Sequence, residues 1–270
     1  MQRRRIGSRS RAAGAIDSRP AASRSIDVDI VRIGEQGDGI AETPDGRLFV
    51  PLTVGGDRVR VQPGRRRGEG IAAELLAVLT PGPERVEPPC PHFAVCGGCA
   101  LQHLADNAYA AWKLGRLTTA LARVGLADSP IASLVRTPPG SRRRATFAAM
   151  RPGREAGVLL GFQVRGSHAV VDLAVCPVLE PAIVALLPPL RVVLADILAP
   201  GGLGRVAVSR LDSGLDVLLE SPAVPGAALR ERLAGFADAN DLARLSWRAA
   251  AGALAEPLAL RRPVRAVFGG

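Results

Sequence analysis

The sequence predicts an α+β protein in two parts, an N-terminal OB-like antiparallel β-barrel followed by an α+β domain that opens on a cysteine loop. Three observations carry this reading. Residues 26–80 are short alternating runs cut by Gly and Asp turns. Residues 90–99 concentrate three of the four cysteines. Beyond them, helical and strand patterns alternate to the end of the chain.

The alternating runs are IDVDIVRIG, GDGIAET, RLFVPLT, DRVRVQPG and GIAAELLAVLT. Period-two alternation broken by glycine every eight to twelve residues or so is how a small barrel reads. Pro81, Pro83, Pro88 and Pro89 then make residues 81–89 a stiff extended linker.

After the cysteine loop, Leu104, Ala108, Ala111, Leu114, Leu117, Leu121 and Val124 recur at helical spacing, and Gly125 is a stop. Tyr109 and Trp112 read as core or packing residues and not as a ligand box. Strands are expected in RRRATFAAM, GVLLGFQVRG and HAVVDLAVC, then a helix over LEPAIVALLPPLRVVLADIL. A hairpin joined at DSG, a helix over ALRERLAGFADAN and two short strands complete an α+β domain on a mostly antiparallel sheet, residues 90–268. PVRAVFGG looks like the beginning of a further strand.

Charge narrows the function classes. The formal net charge is +10, but residues 1–25 hold seven arginines against the single acid Asp17, which leaves +6 in the tail and +4 in the rest. The tail reads as a disordered basic segment without the apolar core of a secretory signal. No apolar run approaches the ~18 residues of a membrane span. A soluble, cytoplasmic protein with reduced cysteines is expected.

Cys90, Cys96, Cys99 and Cys176 are separated by five, two and 76 residues. Disulfides fit poorly, because Cys96 and Cys99 are too close to staple anything. Zinc ribbons bring two CxxC pairs, whereas a cubane cluster is commonly held by three thiolates from one loop and a fourth from elsewhere. Spacing favours 4Fe-4S and leaves zinc and unligated core cysteines open. Gly97 and Gly98 are expected to supply positive φ and close backbone approach around the sulfurs.

In CPHFAVCGGCALQHL, in GFQVRGSHAVVDLAVCPVLEP and in the barrel before Cys90, the sequence resembles the TRAM-domain-containing 23S ribosomal RNA uracil-C5 methyltransferases, from about Asp27 to Val267. The resemblance implies that Cys90, Cys96, Cys99 and Cys176 ligate a 4Fe-4S cluster, that the barrel is a TRAM RNA-binding domain, and that the α+β region is the central RNA-recognition domain.

It implies also a chemistry in which a cysteine thiolate adds to uracil C6, S-adenosylmethionine methylates C5, and a base removes the C5 proton. In this family that machinery sits in a C-terminal Rossmann-like domain. With four cysteines given to the cluster, none is left as nucleophile. GGLGRVAV, residues 201–208, precedes a strand and reads as a turn, not a cofactor loop. The expectation is therefore an RNA-binding, cluster-binding portion without a catalytic domain, truncated, frame-shifted or partnered by a separate catalytic chain. The rivals are a stand-alone RNA-binding iron-sulfur or zinc module and an electron carrier.

The expected partner is RNA, 23S rRNA by resemblance, and no membrane. Contacts are expected from Arg58, Arg60, Arg65, Arg66 and Arg67 in the barrel, from Arg142, Arg143 and Arg144 at a strand mouth, and from Arg165. His168 lies beside Arg165 on the approach to Cys176, and His103 reads as a support of the cysteine loop. Phe49 is the one aromatic of the barrel, so charge would carry its affinity, which should be weak and salt-sensitive.

Overall fold

A computed structural model describes residues 24–267. The basic tail through Ser23 and the last residues from Phe268 lie outside the described residues, as does the side chain of Arg67. The chain divides between Pro83 and Glu84 into two compact units.

In the first unit, β1 (Ile26–Asp29), β2 (Arg32–Ile33), β3 (Gly39–Thr43), β4 (Gly46–Val50), β5 (Arg58–Arg67) and β6 (Gly70–Thr80) form one sheet in the order β1-β5-β6-β4-β3-β2. The two edges are consecutive pieces of one bent strand. Ile30 N–H donates to the Asp57 carbonyl beside β5, and Val31 N–H donates to the Ile40 carbonyl on β3, each at 2.8 Å. The first and last positions of the sheet are thus joined through adjacent residues of the chain. One pair departs from the antiparallel expectation, since β4 and β6 run parallel.

Alternation sends Val59 and Val61 inward with Ile30, Leu48 and Val50, all at most 2% exposed. A buried carboxylate secures the loop before β5: Asp57 accepts from Val54 N–H at 2.7 Å and from Gly82 N–H at 2.8 Å. Asp57→Ala leaves two buried donors unmet, and the unfolding transition of this unit in urea is expected to lose about 2–4 kcal/mol. An unchanged midpoint would mean water replaces the carboxylate.

The second unit carries α1 (Asp106–Arg123), β7 (Arg144–Met150), β8 (Leu159–Gly161), α2 (Pro181–Ala185), α3 (Leu187–Ile197), β9 (Leu203–Leu211), β10 (Gly214–Glu220), α4 (Ala227–Ala239), β11 (Leu242–Arg248) and β12 (Glu256–Leu260). Its sheet order is β12-β11-β10-β9-β7-β8, antiparallel except β10 with β11. The exception has a cause: α4 is the crossover between those two strands, and a crossover returns the chain in the same direction. Phe147, Val206, Val208, Val217 and Leu219 point into the core with Ile183, Leu187, Leu190 and Leu233 of the helices. In register with one another on the opposite side stand Ala148 with Arg205 and Thr146 with Ala207.

Three local expectations are corrected. LEPAIVALLPPLRVVLADIL is two helices, not one, because Pro188 and Pro189 cannot continue α2 but fit the first turn of α3. HAVVDLAVC is no strand; it is an extended arm tied to β8 and the residues after it by Val171 N–H to the Phe162 carbonyl and Leu173 N–H to the Leu160 carbonyl, at 2.8 and 3.0 Å. PVRAVFGG forms no strand within the described residues; Val267 N–H bonds the Asp212 carboxylate at the β9–β10 turn.

The apolar stripe of α1 does not enter the core. Only Ala108 is buried, whereas Leu117 and Val124 are exposed. Tyr109 and Trp112 lie 6.2 Å apart under Lys113, Arg116 and Arg136, at 5.2–5.7 Å from the ring centroids. They pack on one another as a half-buried, cation-topped pair.

Candidate metal centre and the groove beside it

The cysteine loop is built by tight turns that leave its sulfurs on one side. Phe93 N–H bonds the Cys90 carbonyl at 3.1 Å and Cys96 N–H the His92 carbonyl at 2.7 Å. The loop then docks on the start of the arm: Gly97 N–H bonds the Gln163 carbonyl at 2.9 Å, and Arg165 N–H bonds the Val95 carbonyl at 3.1 Å. The other end of that arm holds Cys176, and Gly140 N–H bonds the Pro177 carbonyl at 2.8 Å. One segment, residues 162–177, therefore seats the three-cysteine loop and delivers the fourth cysteine.

All four cysteines line one cavity, whose apolar walls are Phe93, Phe162, Leu173 and Leu179, with Gln102 and Arg142 at its polar ends. None is in a disulfide. Burial pushes the Cys96 thiol up, against the pull of Gly98 N–H on its sulfur at 3.4 Å, and the neighbouring cysteines add to the rise. Burial likewise raises Cys99, opposed by Gln102. Such thiols ionise when a metal replaces their protons.

Among the described residues no three His, Cys, Asp or Glu side chains are grouped to hold a single metal ion. What the structure does bring together is four thiols around a shared, largely apolar space, one with an amide donor aimed at its sulfur. Gly97 and Gly98 do not have the positive φ expected of them. They are small for another reason, since a Cβ on Gly98 would lie 3.3 Å from the Phe162 ring and 3.4 Å from the Cys96 sulfur. His103 is buried under Phe93, ring centroids 5.2 Å apart, and its carbonyl accepts from Val86 N–H, in keeping with a supporting place.

The arginines separate into committed and free groups. Arg60 makes a bidentate pair with Asp27 at 2.7 and 3.0 Å, and Arg58 a looser one with Asp29 at 3.8 Å. Both acids stand directly opposite in the β1–β5 register, so these two arginines are spent on β1. Arg65 and Arg66 are exposed without an ion pair among the described residues. Arg143 is tied to the Arg210 carbonyl and to Asp212, each at 3.0 Å. Arg142 bonds the Arg144 carbonyl at 3.1 Å, and Arg144 itself is exposed.

Arg165 donates to the Cys99 carbonyl at 2.8 Å, which makes it a clamp on the cysteine loop. It also lines a second, open groove with His168, Phe162 and Arg205. Arg205 was not foreseeable from GGLGRVAV, because the glycines mark only a turn, whereas its place in the groove follows from the β7–β9 pairing.

Among the described residues no helix is long and apolar enough to cross a membrane. No family model matches the chain. An RNA methyltransferase of Brucella suis, itself uncharacterized, is 42% identical over 226 residues, 83% of this chain and 52% of its own length. The 23S rRNA (uracil(1939)-C(5))-methyltransferase of Pectobacterium atrosepticum is 34% identical over 193 residues, covering 71% of this chain and 43% of that protein. Among solved structures, the tRNA (uracil-54, C5)-methyltransferase of Pyrococcus abyssi, in complex with S-adenosyl-L-homocysteine, aligns with a TM-score of 0.57 at 19% identity, over 82% of this chain and 50% of that one. The chain is thus a relative of RNA methyltransferases and spans about half the length of the curated relatives it matches.

Proposed function

We propose that these residues are the RNA-binding and cluster-binding portion of an RNA uracil-C5 methyltransferase acting on 23S rRNA in the cytoplasm, with S-adenosylmethionine as methyl donor. The observation that carries the reading is the convergence of all four cysteines on one apolar cavity, in a chain whose relatives are RNA methyltransferases. In this reading residues 26–80 are a TRAM-type barrel, 81–89 a linker and 90–268 the cluster-bearing central domain. Methyl transfer draws on residues other than these, since the four cysteines belong to the cavity.

The reading takes 4Fe-4S over zinc on the ligand pattern, three cysteines from one loop and a fourth from elsewhere. A bound cluster would cross-link loop and arm through four iron–thiolate bonds. The chain's own residues do the rest: Phe162 and Leu173 exclude water, Gly98 N–H faces the Cys96 sulfur, and Arg165 holds the loop through the Cys99 carbonyl.

RNA binding is the property to measure. The full chain should bind a 23S rRNA fragment with log K falling linearly in log salt, and Arg65→Ala with Arg66→Ala should flatten the slope by roughly 1–2. Failure of the chain to bind that fragment at low salt would reject the reading.

A further inference from the structure

We propose that the open groove lined by Arg205, His168 and Arg165 seats a phosphodiester of single-stranded RNA, with an adjoining base against Phe162. The groove holds about 540 Å³, and it is open along one side. That volume lies within the roughly 300–1,000 Å³ of small-ligand sites. The opening admits a strand that continues beyond it.

Charge marks the groove. Several guanidiniums elsewhere in this unit are neutralised in pairs: Arg191 with Asp172 at 2.6 Å, Arg230 with Glu256 at 2.6 Å, Arg244 with Asp216 at 2.8 Å and Arg248 with Glu220 at 2.8 Å. Arg205 stands across from Glu220 in the β9–β10 register, yet Glu220 is given to Arg248. Among the described residues no carboxylate lines the groove. Among the described residues neither Arg205 nor the His168 imidazole has a side-chain partner.

Arg165 adds its charge to the groove wall, with one terminal nitrogen used on the Cys99 carbonyl. Donors without a facing acid, at the rim of an exposed sheet face, match a phosphate oxygen.

The remaining walls suit a nucleotide. Phe162 is half-buried and packs on Phe147 with centroids 5.3 Å apart, which presents a fixed ring to a base. Gly97 and Gly98 line the groove beside it without side chains. Phe162 also lines the cysteine cavity, so the groove and the metal centre share a wall.

The inference rests on the RNA reading above but fails separately from it. The test uses the full chain, purified without oxygen, and a fluorescein-labelled uridine-rich single-stranded RNA, with anisotropy followed across a salt series. Arg205→Ala and His168→Ala should each weaken binding about tenfold. Arg205→Ala should also reduce the salt slope by about 0.7. Wild-type metal content in both variants should accompany these losses.

If Arg65→Ala with Arg66→Ala weakens binding while the groove variants bind like wild type, the groove is overturned and the RNA reading stands. Should the wild-type chain not bind RNA at low salt, both fall. Displacement of RNA by inorganic phosphate at equal concentration would mark a small-anion site and overturn the phosphodiester assignment.

Discussion

Replacing Cys96 or Cys176 with serine is expected to abolish iron binding, from about four irons and four sulfides per chain in protein purified without oxygen to a small residue. The two cysteines stand 80 positions apart by their numbering, yet they line the same cavity and Cys96 feels the charge of Cys176. Equal loss from either substitution would therefore report one centre closed by the arm.

The consequence for the fold should be as large. The cavity lies between the loop docked on residues 163–165 and the arm ending at Cys176. Without metal, four thiols are left around a small apolar enclosure with only a few backbone bonds across it. Visible absorbance, iron and sulfide content and the thermal midpoint of this unit would fall together. One zinc per chain, or iron retained in Cys176→Ser, would defeat the cluster proposal and leave the RNA proposal to its arginines.

Gly161→Ala is the second large effect, and it acts without touching a cysteine. A Cβ at Gly161 would stand 2.1 Å from the Val171 carbonyl oxygen and 2.7 Å from Leu173 Cγ. The first contact is with backbone, so no rotamer change relieves it. Strand β8 would have to part from the arm, breaking the bond of Leu173 N–H to the Leu160 carbonyl and moving the segment that delivers Cys176.

A loss of about 3 kcal/mol or more is expected, at the upper end for overpacking. Iron release should occur at lower temperature than in wild type. Gly157→Ala is the matched control, because nothing lies within 4 Å of its added Cβ. Thermal unfolding followed by circular dichroism separates the two. A Gly161→Ala protein as stable as Gly157→Ala would mean that the arm yields freely and does not position the site.

Much of this protein was legible before any coordinates. Alternation in residues 26–80 is a local property of each strand, and it marked which valines turn inward. The helical stripe located α1 within two residues at either end, since periodicity and the Gly125 stop are both local signals. The cysteine spacing singled out the four residues that line one cavity, three close in sequence and one remote.

What remained hidden depended on partners distant in sequence. Arg58 and Arg60 resemble a free basic patch until β1 pairs with β5 and sets Asp29 and Asp27 opposite them. Pattern alone says that α1 has an apolar face, but not that the fold leaves this face uncovered. Arg205 sits in an unremarkable glycine-flanked run, and only the β7–β9 pairing carries it to the groove beside Phe162.

The sequence by itself thus determined most of the elements and singled out the four cysteines, which are written in residue type and short-range period. Tertiary structure decided which charges are neutralised and which stay free. Charge neutralisation acts over a few ångströms between strands that register brings together, and register is set by the packing of the whole sheet.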